Sequence, residues 1–297
     1  MPNWDARAPI TFSPPLPKPF RGLEINPRAA SVAELVLWIG YLQWHFHLHG
    51  KRTPPEPILR AFKNIQCRDA VLDYDGEPQA ATDDVGNKIE VWDRRSTKLD
   101  SLTGRQVPDE SRRVALLKYV NARPATWPKA NYVIGNPPFI GKLKLREDLG
   151  DGYTEALRGS YPQIPESADF VLYWWYKAAE LVRSGRIERF GFITTNSLSQ
   201  VFNRRIVQAQ LAAVQPLSIV FAIPDHPWVD TTDGAAVRIA MTVAENGTHD
   251  GDLLEVVTEQ ANEDGSAKVS LSPKRGRIHA DLTIGAPVTT TVPLPGE

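Results

Sequence analysis

Residues 131–141 read NYVIGNPPFIG, a short apolar run that ends on Asn136, Pro137, Pro138 and Phe139. Proline has a fixed φ and no N–H, so two in succession make a stiff exit whose carbonyls are free to point into a cleft. Asn136 brings a side-chain carbonyl, the peptide between Pro137 and Pro138 a second acceptor, and Phe139 a flat apolar face. Such a set suits a planar ring with an exocyclic amine. That amine is a poor nucleophile because its lone pair is delocalised into the ring. Two acceptors, each holding one N–H, favour a pyramidal nitrogen whose lone pair faces an electrophile, and preorganised groups of this kind stabilise charge as it develops.

These residues need a strand to carry them, and the pattern around them supplies strands and helices in turn. FRGLEIN closes on Glu24 and Ile25. A helix over PRAASVAELVLWIGYLQWHF follows, with Pro27 in its first turn and apolar residues recurring through Ala30, Ala33, Val36, Leu37, Gly40 and Tyr41. A proline-marked loop at PPEPILRAF leads to the strand NIQCRDAV, which carries Asp69 and Ala70. Residues 75–113 are polar, and DSLTGRQVPDESRR has the composition of a surface loop or insertion. After the strand ending at Asn136, the order is a helix over SADFVLYWWYKAAELVRSGRI capped by Ser167 and closed near Gly185, the strand RFGFITTNS, the helix NRRIVQAQLAAV, and the strands LSIVFAI and AAVRIAMTVA. Beyond Glu245 the pattern weakens into polar, glycine-containing sequence, and the proline-rich residues 1–20 predict no regular structure. The alternation predicts an α/β fold with a mostly parallel sheet covered on both faces, in which ligands bind at the carboxyl ends of strands. Glu24, Asp69 and Asn136 all fall at such ends.

Composition narrows the partners. Lys plus Arg (34) nearly balance Asp plus Glu (35), so any basic face must be local. The single Cys67 rules out an internal disulfide framework, and the N-terminal sequence has no charged-then-apolar leader, which together predict a cytoplasmic protein. VAELVLWIGYL, among the longest apolar stretches, falls short of the ~20 residues that a membrane helix needs, so no membrane partner is expected.

GNPPF resembles motif IV of the amino-methyltransferases, above all the adenine-N6 DNA methyltransferases, which take a methyl group from S-adenosyl-L-methionine. The resemblance implies that Asn136 and the Pro137 carbonyl hold the target amine, with Pro138 stiffening the loop, while Phe139 stacks on an adenine flipped out of double-stranded DNA. GLEINPRAASVAELVLWIGYLQW is similar to the family's second motif, which makes Glu24, with Ile25 beside it, the residue for the cofactor ribose. NIQCRDAVL is similar to the third, which gives Asp69 the cofactor's adenine amino group and Ala70 a place along the ring. SADFVLYWWYKAAELV and FGFITTNS resemble the fifth and sixth motifs. They imply Asp169 and Phe170 near the cofactor, with Asn136 also at its edge, and Thr195 and Asn196 at the next strand's end. The long polar insertion and the WIGYLQW helix most resemble the MmeI-like and phage-defence methylases of restriction-modification systems.

One part of the family pattern is missing. A glycine-rich loop is expected ~20 residues before the ribose-binding acid, yet no glycine precedes Gly22. The resemblance therefore implies a Rossmann-like methyltransferase sheet without its N-terminal strand and glycine-rich motif I. GRIHADLTIGAPV resembles the linker to a target-recognition domain. The implied organisation is an irregular segment over 1–20, a partial catalytic core over 21–245, and a C-terminal extension or linker over 246–297. The expected partners are duplex DNA, a motif I segment and a target-recognition domain, and the expected reaction needs no metal.

Other readings stand beside this one. An Asn-Pro-Pro-aromatic site also fits a protein glutamine amide or an RNA base, and the absent glycine loop fits a non-catalytic remnant or a split-gene subunit. Asp169 has an alternative use at a helix start through the helix dipole. Trp174, Trp175 and Tyr176 fit a core better than a stacking platform. His45 and His49 share a helical face but lack a carboxylate or cysteine to complete a metal set, and they read as helix-end polar groups. Arg204 and Arg205 read as a solvated face rather than as phosphate contacts.

Overall fold

The computed structural model describes residues 20–52, 64–228, 237–261 and 267–285. The expectations for the N-terminal segment and for the loop 53–63 lie outside the described residues. The chain divides into two compact units, one built from residues up to Ala70 together with Ala125–Pro128, the other from Val71–Pro124 with Lys129 onward.

In the first unit, β1 (Gly22–Glu24) pairs in parallel with β2 (Ile65–Cys67), matching Gly22 to Ile65 and Glu24 to Cys67. Between them runs α1 (Pro27–His49), with proline at its first position and the Asn26 side chain accepting from the N–H groups of Arg28 at 2.9 Å and Ala29 at 3.2 Å. The helix runs further than the sequence pattern suggested. Ala30, Tyr41 and His45 are buried, whereas Val36 of the expected apolar face is exposed along with Val32, Leu35, Ile39, Phe46 and Leu48. At the helix end, the His45 ring Nε2 lies 2.9 Å from the Arg52 carbonyl and His49 Nδ1 lies 3.1 Å from the His45 carbonyl.

The second unit contains a six-stranded sheet: β3 (Tyr132–Gly135), β4 (Arg189–Thr195), β5 (Leu217–Pro227), β6 (Arg238–Asn246), β7 (Gly251–Ala261) and β8 (Ala267–Gly276). The spatial order is β3-β4-β6-β5-β7-β8. Pairs β3/β4 and β5/β7 are parallel; β4/β6, β6/β5 and β7/β8 are antiparallel. The sheet is thus mixed, which corrects the expectation of a mostly parallel one. β6 lies antiparallel between β4 and β5, and the polar sequence beyond Glu245 supplies an antiparallel pair, β7 and β8, on the sheet's far side. Its strands are hard to read because charged residues such as Glu255, Glu259, Lys268 and Lys274 break up their apolar pattern.

One face of the sheet is apolar in strict alternation. Phe190, Phe192 and Thr194 of β4 are buried opposite Ala244, Thr242 and Ala240 of β6. Helix α4 (Val171–Arg183) packs there, with the fully buried Trp175 edge-on to Phe190 at 5.4 Å and its indole N–H reaching Thr242 Oγ1 at 3.4 Å. This confirms Trp175 as core. The helix begins at Val171 rather than at the expected Ser167 cap, because the N–H of Phe170 goes instead to the Ile140 carbonyl at 2.9 Å.

The polar residues 75–113, in which DSLTGRQVPDESRR was expected as a surface loop or insertion, belong to a nested antiparallel arm. Strand Gln79–Ala80 pairs with Leu117–Lys118, Glu90–Trp92 with Arg113–Ala115, and Thr97–Leu99 with Gln106–Pro108. The arm is fastened to two helices, α2 (Leu145–Leu149) and α3 (Asp151–Ser160). Arg95 donates to the Glu147 carbonyl at 2.9 Å and to the Asp148 carbonyl at 3.2 Å, while Arg94 and Arg146 flank Asp151 at 3.0 and 2.7 Å. Gly152 meets the arm so closely that a Cβ there would lie 1.9 Å from the Leu117 carbonyl oxygen, which explains a glycine inside a helix. Among the described residues no helix is long and apolar enough to cross a membrane.

Candidate amine-binding and cofactor-binding sites

Glu24 ends β1 and Asp69 lies two residues beyond β2, so the parallel register brings both acids to the carboxyl edge of the same strand pair. One Glu24 oxygen accepts from the Asn26 N–H at 2.8 Å, which sets the turn into α1, and the other has no hydrogen-bond partner among the described residues. The stretch after β2 is tied by its backbone: Arg68 N–H donates to the Glu24 carbonyl at 3.0 Å and the Trp127 indole donates to the Ala70 carbonyl at 2.6 Å. The guanidinium of Arg68 also reaches the Thr126 carbonyl. Ile25 is 67% exposed beside Glu24, with its carbonyl 3.6 Å from the Cys67 sulfur.

In the second unit, β3 delivers Asn136 to the carboxyl end of an edge strand. Gly135 immediately before it lies against Phe192, where a Cβ would stand 3.2 Å from the ring. The side chain of Asn136 is exposed and has no hydrogen-bond partner among the described residues. The two proline carbonyls differ. That of Pro138 accepts from the Ile140 N–H at 3.2 Å, whereas that of Pro137 has no partner among the described residues. Pro137 itself is buried and Phe139 half-buried. The loop therefore keeps two open acceptors, the Asn136 amide oxygen and the Pro137 carbonyl, next to an aromatic ring.

Behind this loop, the Asp169 carboxylate accepts from three groups: Lys142 N–H on Oδ1 at 3.0 Å, and the Ser197 hydroxyl and Asn203 amide on Oδ2, both at 2.7 Å. The Thr195 hydroxyl adds to Ser197 at 2.6 Å. Asn196 points elsewhere, donating to Asp225 at 3.1 Å. Asp225 and Glu259 in turn hold Arg238 at 2.6 Å each; the hydrogen bonds to Glu259 and then Asp225 raise the guanidinium's pKa, and the bond from Arg238 lowers that of Glu259. The Lys142 ammonium lies 4.4 Å from the centre of the Phe202 ring, with Arg205 6.0 Å from the same ring.

Ser197 and Asn203 were not singled out in the sequence. The available signal was periodicity: Asn203, Ile206, Val207, Gln210 and Leu211 make up the buried stripe of α5 (Val201–Leu211), and a polar residue in an otherwise apolar stripe needs a partner. A cavity of about 220 Å³ lies between the arm and the α2–α3 segment, lined by Trp92, Arg94, Leu117, Arg146 and Tyr153 among others, and includes none of these site residues.

Among solved structures, the chain is similar to the Type IIL restriction-modification enzyme MmeI in complex with DNA, at 22% identity over 54% of this chain and 20% of that one, with a TM-score of 0.40. It is also similar to a modification subunit of a putative type I restriction enzyme from Vibrio vulnificus YJ016, at 14% identity over 48% of this chain and 27% of the other, with a TM-score of 0.33. No curated protein matches. The chain spans about a fifth to a quarter of the length of those two structures. The model of the MmeI DNA-methyltransferase domain matches residues 16–253, most of the chain, and the chain belongs to that family.

Proposed function

We propose that the chain carries the amine-holding half and part of the cofactor site of an S-adenosyl-L-methionine-dependent methyltransferase acting on adenine N6 in DNA, within a restriction-modification or phage-defence system. The observation that carries the reading is the pair of open acceptors, the Asn136 amide and the Pro137 carbonyl, beside Phe139 at a strand's carboxyl end. In this reading duplex DNA yields a flipped adenine that stacks on Phe139. Each N–H of its amine is taken by one of the two acceptors, which turns the nitrogen lone pair toward the methyl group. S-adenosyl-L-methionine supplies that electrophilic methyl when bound.

Glu24 is assigned to the ribose hydroxyls through its open oxygen, Asp69 to the cofactor's adenine amino group, and Ile25 and Ala70 to the walls of that site. The direction shared by β3, β4 and β5, with β6 reversed between the last two, supports a Rossmann-like methyltransferase sheet. A glycine-rich segment and a target-recognition domain are the expected partners, and the cytoplasm is the expected compartment.

The test is transfer of tritium from S-adenosyl-L-methionine to duplex DNA, run with the chain alone and with an added glycine-rich cofactor-binding segment of an amino-methyltransferase. Label recovered as N6-methyladenine, above all when the segment is added, supports the reading. Label in N4-methylcytosine moves the target base. Label in a protein glutamine or an RNA base instead of DNA, or none anywhere while cofactor is bound, overturns it.

A further inference from the structure

The loop that follows Phe139 is held at two neighbouring points by one short stretch of chain: Phe170 N–H donates to the Ile140 carbonyl at 2.9 Å and Asp169 Oδ1 accepts from the Lys142 N–H at 3.0 Å. Asp169 is held in turn from α5. Asn203, only 4% exposed, accepts from the Asp169 N–H at 3.1 Å through Oδ1, and its amide donates to Asp169 Oδ2 at 2.7 Å and to the Ser197 carbonyl at 3.0 Å. Only one orientation of the amide satisfies this pattern, because its N–H₂ must face a carboxylate and its oxygen must face a backbone N–H. The donors run in one direction, from Thr195 to Ser197 to Asp169, with Asn203 and Lys142 completing the shell of the charge. Three of the carboxylate's roughly four acceptor sites are taken by donors inside the protein, so its main work is to fix geometry.

We infer that Asp169, Ser197 and Asn203 form a clamp that positions the Asn136–Phe139 loop for amine capture, linking the end of β4 and the start of α5 to the two acceptors. The three are positioning residues: none touches the amine, and all act through Ile140 and Lys142. The inference rests on the proposed function for the value of that geometry, since a small displacement of groups that orient a reactant costs rate steeply. Ser197 and Asn203 thereby gain a role that their place in a polar-looking helix start does not suggest.

A polarity swap tests the clamp in the full chain. Asp169→Asn alone sets an amide against the Asn203 N–H₂, and Asn203→Asp alone sets two carboxylates together, whereas the double variant faces an amide with a carboxylate again. Two quantities are read well below the melting temperature: hydrogen exchange at the Lys142 amide, and affinity for a duplex with 2-aminopurine opposite an abasic site. Each single variant is expected to speed exchange at Lys142 and weaken 2-aminopurine capture, each by about tenfold or more, the usual worth of a hydrogen bond to a charged group. The double variant restores the carboxylate–amide contact but sets a carboxylate against the Ser197 carbonyl, so it recovers part of both losses. Unchanged capture in the folded single variants, or losses that the double variant deepens, would overturn the inference. A wild-type chain that captures no 2-aminopurine, but whose Lys142 exchange still follows the swap, retires the base-binding reading and leaves the clamp standing.

Discussion

Glu24 and Asn136 both stand at the carboxyl end of a short strand, yet what holds them differs. Around Glu24 the fixing is local. A carboxylate oxygen takes the N–H two residues on, Asn26 caps the helix that follows, and the neighbouring strand contributes three residue pairs. Around Asn136 the fixing comes from far along the chain, through Phe170, Asp169, Ser197 and Asn203, and through pairing with a seven-residue strand in a six-stranded sheet. In the proposed function, a ribose hydroxyl at Glu24 needs an acceptor only at roughly the right place. An amine about to be alkylated needs two acceptors at fixed angles, and a loop of prolines can hold them only if its far end is tied down.

The largest effect expected is on the sheet beneath the amine loop. Trp175→Ala should cost about 3–5 kcal/mol in chemical denaturation, because the ring is fully buried against Phe190 and leaves a cavity when removed. A smaller cost would mean that this half of the molecule is no better packed than the other. Next is Asn136→Ala, which should lower methyl transfer by about a hundredfold or more, roughly 3–4 kcal/mol, while cofactor affinity stays level. Turnover near that of the wild type would remove Asn136 from the amine site. Phe139→Ala should weaken capture of an extruded base by about 1–3 kcal/mol, with Tyr or Trp tolerated, as followed by 2-aminopurine fluorescence.

In the first unit the expected changes are slighter. Trp127→Phe removes the indole donor to the Ala70 carbonyl and should raise hydrogen exchange across 65–70 by an amount equivalent to about 0.5–1.5 kcal/mol. Exchange spreading through α1 as well would show that the unit depends on this bond more than its local turns suggest. The smallest effect of the series is expected at Asp151, and it is read from its dependence on pH. Burial pushes its carboxyl pKa up, but the hydrogen bonds and charges of Arg94 and Arg146 outweigh that and hold it below the ordinary 3.8. A lowered folded-state pKa contributes stability above the unfolded value, and that stability is lost as pH falls below about 3.8 through the folded value. Acid melting followed by circular dichroism should therefore lose part of its slope in Asp151→Asn, and an unchanged slope would mean that the arm's docking does not depend on this charge.

Local chemistry was legible because each signal stood within a few residues. The proline pair after an apolar run marks where β3 stops, Pro27 starts α1, and the alternation of Phe190, Phe192 and Thr194 predicts a half-buried strand. The choice between the two proline carbonyls was only half legible, since the bond from Ile140 to Pro138 that leaves Pro137 open depends on how the loop turns.

Pairing partners were out of reach of any local signal. Whether β6 lies parallel or antiparallel, and whether the polar residues 75–113 pair into a nested arm, depends on contacts across tens of residues, which side-chain periodicity does not encode. Polar strands such as β7 and β8 are stabilised by their partners more than by their own composition, so they read as loop until the sheet is seen. By itself the sequence determined that a stiff Asn-Pro-Pro-Phe loop sits at a strand end, because residue type and backbone restriction are properties of the chain. Only the tertiary structure decided that Asp169 faces Lys142, Ser197 and Asn203, because a half-buried carboxylate takes whichever donors the fold brings to it.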